Sequence, residues 1–344
     1  MAGTDEDGAM EELILLGHGS GGGLSHELIE NVFAASFANP LLLPLEDASL
    51  FPSPGERLAF TTDSYVVQPL FFPGGDIGRL AICGTVNDLS MRGAAPLYLS
   101  ASFIIEEGLP VADLKRVVFS MAEAAAEAGV QIVCGDTKVV ERGAADRLFI
   151  TTSGIGVVRD GVDVSAQNAR AGDAVILSGT IGDHGITILS QREGMQFRSG
   201  LESDAAPLNG LVAAMLAEST GVRAMRDPTR GGLATTLNEI AGSSHAGIEI
   251  EEGKIPVSEG VEWACEMLGL DPLYLANEGK LVAIVPAEDA DRIVKAMRST
   301  RYGANAVLIG RVTDEHPGRV ILRTRFGIKR IIDVLASDQF PRIC

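Results

Sequence analysis

Two periodicities share the chain. Val130–Cys134, Ala174–Leu177 and 281–285 are short, nearly unbroken apolar runs, the pattern of strands covered on both faces. Arg57–Thr62, Pro96–Glu106 and Arg147–Val158 are rich in β-branched and aromatic residues and read as further strands, with two more near 306–313 and 319–323. Elsewhere apolar residues recur at helical spacing. One helix is expected from Asp76 to Met91, and another behind Pro110, where Leu114, Val117, Met121, Ala125 and Ala128 form one face that Gly129 ends. Further helices are expected around 183–192 and 207–220, through Leu233, Leu237, Ile240 and Ala241, and from Pro286 to Arg301. At the start, Leu13–Leu16, the glycines of 17–23, and then Leu24, Leu28, Val32 and Phe33 read as strand, loop and helix.

Strands and helices occur in both halves without strict βαβ alternation, so the fold class is α+β, two domains each with a mixed sheet covered by helices. The boundaries are placed at 1–165 and 166–333, followed by a mobile tail, 334–344.

This pattern puts carboxylates where elements end. Asp63 falls where the 57–62 strand gives way to a turn. Asp88 lies eleven positions after Ile77, close to three helical turns, and so shares a face with Ile77, Ala81 and Gly84. Asp136 stands in Gly135-Asp136-Thr137-Lys138, read as a turn after a buried strand. Asp227 lies in the loop 226–232 at a helix N-terminus, where backbone N–H groups favour anions. Asn87, Thr137, Lys138, Arg226 and Arg230 accompany them. Taken singly, Asp63, Asp136 and Asp227 read equally well as caps or turn residues, whereas Asp88, turned toward a core, needs a partner or a metal. If three or four met in space they would suit Mg2+ and the phosphates of a nucleotide, because magnesium takes one or two carboxylates and completes its shell with phosphate oxygens and water. Gly17, Gly19 and Gly22 formally match G-x-G-x-x-G, but no ribose-binding acid follows in a βαβ unit and no lysine precedes a Ser or Thr after them. His18 and His26 read as ordinary loop or surface histidines.

Composition narrows the classes. With 344 residues and 46% hydrophobic content the chain can bury a core large enough for two domains. A net charge of −18 argues against an extended basic face for nucleic acid or an anionic membrane, so phosphate chemistry here needs a metal or a few placed arginines. No run of eighteen apolar residues occurs, and the first eight residues carry no signal-peptide pattern. Cys83, Cys134, Cys265 and Cys344 form no CxxC pair, which speaks against a zinc cluster and for a reducing, cytoplasmic setting. Cys344 is the last residue. The eleven residues from Val334 to Cys344 would span roughly 35 Å extended, so its thiol reads either as a carrier on an arm or as a frayed end.

The ordered series Thr61-Thr62-Asp63-Ser64, Asn87-Asp88-Leu89-Ser90-Met91-Arg92-Gly93-Ala94, Cys134-Gly135-Asp136-Thr137-Lys138-Val139-Val140 and Arg226-Asp227-Pro228-Thr229-Arg230-Gly231-Gly232-Leu233 resembles the ATP-binding pattern of the aminoimidazole-ribonucleotide synthetase superfamily. With Asn277-Glu278-Gly279-Lys280 and the terminal Pro341-Arg342-Ile343-Cys344, the chain from about Leu13 onward resembles the carbamoyl dehydratases that mature nickel–iron hydrogenases. The resemblance implies a PurM-like architecture, a homodimer paired through the N-terminal domain, and ATP with Mg2+ in a cleft shared between domains or subunits. Asp63, Asn87, Asp88, Asp136, Thr137, Asp227, Arg230 and Gly231 would then bind the nucleotide, and Asp63, Asp88, Asp136 and Asp227 the metal. It further implies that the carbamoyltransferase HypF loads the Cys344 thiol, that ATP drives dehydration of the carbamoyl group to an S-cyanide, and that a HypC and HypD complex receives the nitrile for iron. Lys138 and Glu278 would orient the group and take its protons. For that, Lys138 must be neutral, which burial would achieve; otherwise it is a phosphate contact, and Glu278 a structural ion-pair partner. Selenophosphate synthetase is the nearest enzymatic rival, but it keeps its reactive Cys and Lys in the glycine segment, and residues 17–23 contain neither. A thiamine-phosphate kinase would not need Cys344. A non-catalytic scaffold would offer only its acidic surface and tail.

Overall fold

The computed structural model describes residues 22–28, 30, 45–46, 49–52, 57–194, 200–335 and 343. Leu13–Leu16, most of the glycine segment and Cys344 lie outside them.

The N-terminal half contains α1 (Gly23–Leu28), β1 (Ser49–Pro52), β2 (Arg57–Tyr65), β3 (Phe71–Phe72), β4 (Gly75–Asp76), α2 (Ile77–Met91), β5 (Ala94–Glu106), α3 (Val111–Ala128), β6 (Gln131–Val140) and β7 (Leu148–Val158). Its main sheet runs β1-β2-β7-β5-β6, antiparallel except where β5 meets β6. The alternation of β2 and β7 has a direct cause: Ala59, Thr61 and Tyr65, with Ile150 and Thr152, face a helix, while their neighbours face away. That helix is α2. Its N-cap Asp76 accepts the Arg79 N–H at 2.9 Å, and it is buried nearly all round because the first sheet lies on one side and the C-terminal half on the other. Gly84 lets it sit this close, since a Cβ there would fall 2.2 Å from the Tyr65 hydroxyl.

The C-terminal half contains β8 (Ala174–Leu177), α4 (Asp183–Arg192), α5 (Asn209–Glu218), β9 (Ala224–Arg226), α6 (Gly232–Ser244), β10 (Gly247–Glu251), α7 (Glu259–Leu268), β11 (Val282–Val285), α8 (Ala290–Arg298), β12 (Val307–Thr313), β13 (Val320–Arg323) and β14 (Lys329–Ile332). Its sheet runs β14-β13-β10-β12-β8-β11-β9, with only β10 and β13 parallel. One apolar cluster joins Leu89, Met91 and Val158 of the first half to Leu208, Met215, Ile176 and Val285 of the second. The halves therefore share a core, and the expected α+β, PurM-like pair of helix-covered sheets is what the chain forms.

Several local expectations change. Asp63 lies inside β2, paired opposite Thr152, because β2 continues along β7 to Tyr65. Residues 135–138 are likewise strand, paired with β5 through Val140, and β6 is an exposed edge with Ile132 and Val133 open to solvent. An apolar run reports strand propensity but not whether a neighbour covers it. The 286–301 helix is shorter, α8 alone, flanked by single turns at Ala287–Asp289 and Arg301–Gly303. Strands β10 and β14 and helix α7 carry weaker patterns that the sequence reading passed over.

Candidate functional site

Helix α2 brings its last two turns beneath β2 and against the second half. There Thr61 Oγ1 donates to Asp88 Oδ2 at 2.9 Å, and the Ser64 N–H holds Asp63 Oδ1 at 2.7 Å. The Tyr65 hydroxyl stands between them, its ionisation pushed far up by burial and by the Asp63 and Asp88 carboxylates. Opposite lies the 226–232 loop. Gly231 and Gly232 both have positive φ, at +77° and +62°, and a Cβ on Gly232 would lie 2.6 Å from the carbonyls of Leu273 and Leu275. Glycine is therefore the residue that allows α6 to start here and aim its first N–H groups past Asp227 and Arg230.

Asn277 ties this loop to the remaining element. Its amide donates to Pro228 O at 2.8 Å and to Leu275 O at 3.0 Å, and its Oδ1 accepts the Gly182 N–H at 2.8 Å. The next residue, Glu278, is 3% exposed, and its Oε1 makes no hydrogen bond among the described residues. Burial, then the nearby Asp204, Asp227 and Asp63 carboxylates, push its pKa well above the usual carboxylate range, against the pull of Arg230, and favour its protonated form. Asp63 is raised too, by burial, with the Arg230 guanidinium opposing. For Asp204, burial is outweighed by the Lys280 ammonium, 3.0 Å from Oδ2, and by His184 and the Glu278 N–H, so its pKa lies below the ordinary value.

Glu278 thus has Asp63, Asp227 and Arg230 within electrostatic reach, Tyr65 has Asp63, Asp88 and Glu278, and Gly231 adjoins Arg230, which together outline the candidate cleft. Asn87 stands behind it. Its side chain is buried and fully engaged, donating to Ala206 O at 3.0 Å and accepting the Leu208 N–H at 2.7 Å, so it frames the cleft instead of opening onto it.

Asp136, Thr137 and Lys138 lie elsewhere in the chain. The register aligns Asp63 with Thr152, Thr152 with Ala101 and Ala101 with Gly135, which puts β6 three strands away, about 14 Å. The Asp136 pKa is held below its ordinary value by the Lys138 ammonium, 2.8 Å from Oδ2, and by the Thr137 N–H. The Lys138 side chain is 70% exposed, so the burial that would discharge it is not supplied by the chain itself. An open groove of about 730 Å³ between α3 and β6 runs past Met121, Ile132, Gly135 and Asp136.

Among the described residues, no three His, Cys, Asp or Glu side chains are grouped closely enough to hold a metal ion alone. The donor set of Asp63, Asp88 and Asp227 still fits magnesium bound together with phosphates, which needs one or two carboxylates from the protein. Tyr65, Asp204 and His184 were missed by the sequence reading. Tyr65 carried a signal, since it lies two positions after Asp63 on the same strand face. Asp204 and His184 carried none.

The N-terminal domain of the AIR synthase related protein family matches residues 45–158, and its C-terminal domain residues 170–323. The carbamoyl dehydratase HypE of Cupriavidus necator is 56% identical over 330 residues, covering 96% of this chain and 94% of that one. Among solved structures, a HypE–HypF complex superposes with a TM-score of 0.86 at 54% identity, over 89% of this chain and 99% of that one. A hydrogenase maturation protein HypE in complex with ATP gives 0.82 at 51%, over 96% and 100%. With both domains matched and more than half the positions identical along nearly its full length, the chain belongs to the HypE carbamoyl dehydratases of hydrogenase maturation, enzymes built on the two PurM-like domains of the AIR synthase related family.

Proposed function

We propose that the chain uses ATP to take the elements of water from a carbamoyl group carried on Cys344, leaving an S-cyanide that becomes an iron ligand of a nickel–iron hydrogenase. In the first step the amide oxygen attacks the γ-phosphorus, the bond to ADP breaks, and one proton leaves the amide nitrogen. In the second the remaining N–H proton leaves, the carbon–oxygen bond breaks, and phosphate departs with the electron pair of that bond as the nitrile forms. An amide oxygen is a poor leaving group and phosphate a good one, which is what ATP contributes.

The observation that carries this reading is Glu278, a buried carboxyl with an unsatisfied oxygen at the meeting point of the cleft. The same burial and neighbouring charges that favour its protonated form make its carboxylate, once ionised, a stronger base than a solvated one, suited to a weakly acidic N–H. Arg230 and the N–H groups opening α6 at Gly231 would face the phosphates, and Asp63, Asp88 and Asp227 would hold magnesium, whose charge would offset that developing on the transferred group. Asn87 serves by fixing the main chain beside Glu278. The sequence boundaries, 1–165, 166–333 and 334–344, stay as the proposed domains and carrier tail.

Asp136, Thr137 and Lys138 enter through a second copy of the chain. The outer face of the first sheet leaves Phe60, Tyr98, Ile104 and Ile155 exposed, and its edge is β6. A homodimer covering that face would bury Lys138 and complete a cleft shared between subunits. HypF is the proposed donor of the carbamoyl group, supported by the related HypE–HypF complex, and a HypC and HypD complex the acceptor. No described helix is long and apolar enough to cross a membrane, and a cytoplasmic setting is proposed.

The test is mass spectrometry of the terminal peptide after the Cys344-carbamoylated protein is incubated with ATP and Mg2+. Loss of one water from the parent, and none from Glu278→Gln, is expected. An unchanged mass in the parent refutes the enzyme and leaves a scaffold.

A further inference from the structure

His184 has no exposed surface, yet both ring nitrogens are engaged: Nδ1 lies 2.8 Å from Ser203 Oγ and Nε2 lies 2.7 Å from the carbonyl oxygen of Ile343. A carbonyl only accepts, so Nε2 carries the proton. Burial keeps the imidazole neutral, lowering its proton affinity against the opposing influence of Asp204 and the Ile343 carbonyl, with Arg192 assisting. Nδ1 must then accept, and Ser203 must donate to it. The Ser203 oxygen takes the Ala205 N–H at 3.2 Å, which completes a one-way chain from backbone to ring to tail. Phe72 packs edge-on against the ring, centroids 5.7 Å apart, and fixes its plane. Ile343 is 3% exposed and belongs to the same apolar cluster as Ile188, Ala205 and Ala276.

The carbonyl that His184 grips belongs to the last peptide bond of the chain, the one joining Ile343 to Cys344. The residues that orient His184 also hold Glu278. Directly after Ser203, Asp204 accepts the Glu278 N–H at 3.0 Å, and the Ala206 N–H reaches Glu278 O at 3.4 Å. One short run thus fixes the tail on one side and the orphaned carboxyl on the other.

We infer that His184, oriented by Ser203, is the positioning residue that latches the chain's own terminal peptide bond, with Ile343 as the anchor, and so sets how long the group on Cys344 stays presented beside Glu278. The catalytic consequence rests on the dehydratase reading; the latch itself does not. Among the described residues of 336–344, the hydrogen bond to His184 and the Ile343 side chain are what hold the tail.

The test is the rate at which iodoacetamide labels Cys344 in the intact protein without ATP, read on the terminal peptide because Cys134 is also exposed. His184→Leu, which keeps bulk but removes the donor, raises the rate about fivefold, the factor expected from one net hydrogen bond. His184→Gln, whose amide can donate from the position of Nε2, stays within about twofold of the parent. Ile343→Ala, at the chain end where folding is not at stake, raises it roughly thirtyfold or more. Equal labelling in parent and Ile343→Ala overturns the latch, whether or not the His184 variants fold. Leu and Gln rising together reduces His184 to packing and also overturns it. The same proteins, carbamoylated and given ATP, then report on chemistry: a parent that fails to dehydrate refutes the proposed function while the labelling result still decides the latch.

Discussion

Lys280→Met isolates the electrostatic arrangement that sets the site. In the parent, Lys280 Nζ lies 3.0 Å from Asp204 Oδ2, with side chains 13% and 5% exposed, so this is a buried pair and not a surface one. Methionine keeps most of the stem that packs 3.2 Å from the position of a Cβ on Gly179 and removes only the charge. Asp204 is then left in an apolar setting beside Glu278, and breaking a buried pair from one side costs about 3–5 kcal/mol, against about 0–1 for an exposed pair. The sign with pH follows from the parent. Asp204 titrates below its ordinary value in the fold, so its contribution is present above the unfolded value, near 3.9, and is lost as pH falls through the folded one. In Lys280→Met the largest influence opposing burial is gone, only His184 and the Glu278 N–H still favour the charged form, and the carboxyl takes up a proton more readily. The difference in unfolding free energy between parent and variant should therefore be largest near neutrality and shrink toward the small packing loss only as pH falls below about 3.9. Urea denaturation of both proteins across that range measures it. A difference below about 1 kcal/mol at neutrality, or one that does not change with pH, would refute the assignment of Asp204 as an ionised group held by Lys280.

Glu278→Gln should flatten a slope of the opposite sense. The folded parent favours the proton on Glu278 that the unfolded chain releases above the ordinary carboxyl value, so the variant gains stability relative to the parent as pH rises from about 4.3 toward neutrality, as urea midpoints will show; a constant difference would contradict the raised pKa. Asp136→Asn should weaken magnesium-dependent ATP binding in the dimer, measured by calorimetry, and an unchanged titration would remove Asp136 from the site. Cys344→Ala should abolish cyanation with ATP affinity within about twofold of the parent; an equally severe loss of affinity would argue against a separable carrier. Tyr98→Asp, on the uncovered sheet face, should shift the protein toward monomer in sedimentation, and a dimer unaffected by it would place the interface elsewhere.

What the sequence could state depended on range. Helix α2 was legible to within a residue because its signals, the Asp76 cap and a 3.6-residue period, are local. The Asp227 loop at the start of α6 was legible for a similar reason, since two glycines mark where a backbone turns sharply. Asp63 and the 135–138 segment were read as turns, because polar residues after an apolar run look like an end. They are strand, since β7 and β5 supply hydrogen bonds from residues far along the chain that no local pattern announces.

Taken alone, the sequence determined the element types, the α+β class and an ordered set of acids and glycines sufficient to resemble one enzyme family. Tertiary structure decided which of them meet. Asp63, Asp88, Asp227 and Glu278 come together and Asp136 does not; the pKa of Glu278 is raised, Asn87 is framework, and His184 holds a residue 159 positions away. The reason is physical: propensity and periodicity act between neighbours, whereas burial and charge interaction depend on what the folded chain brings within a few ångströms.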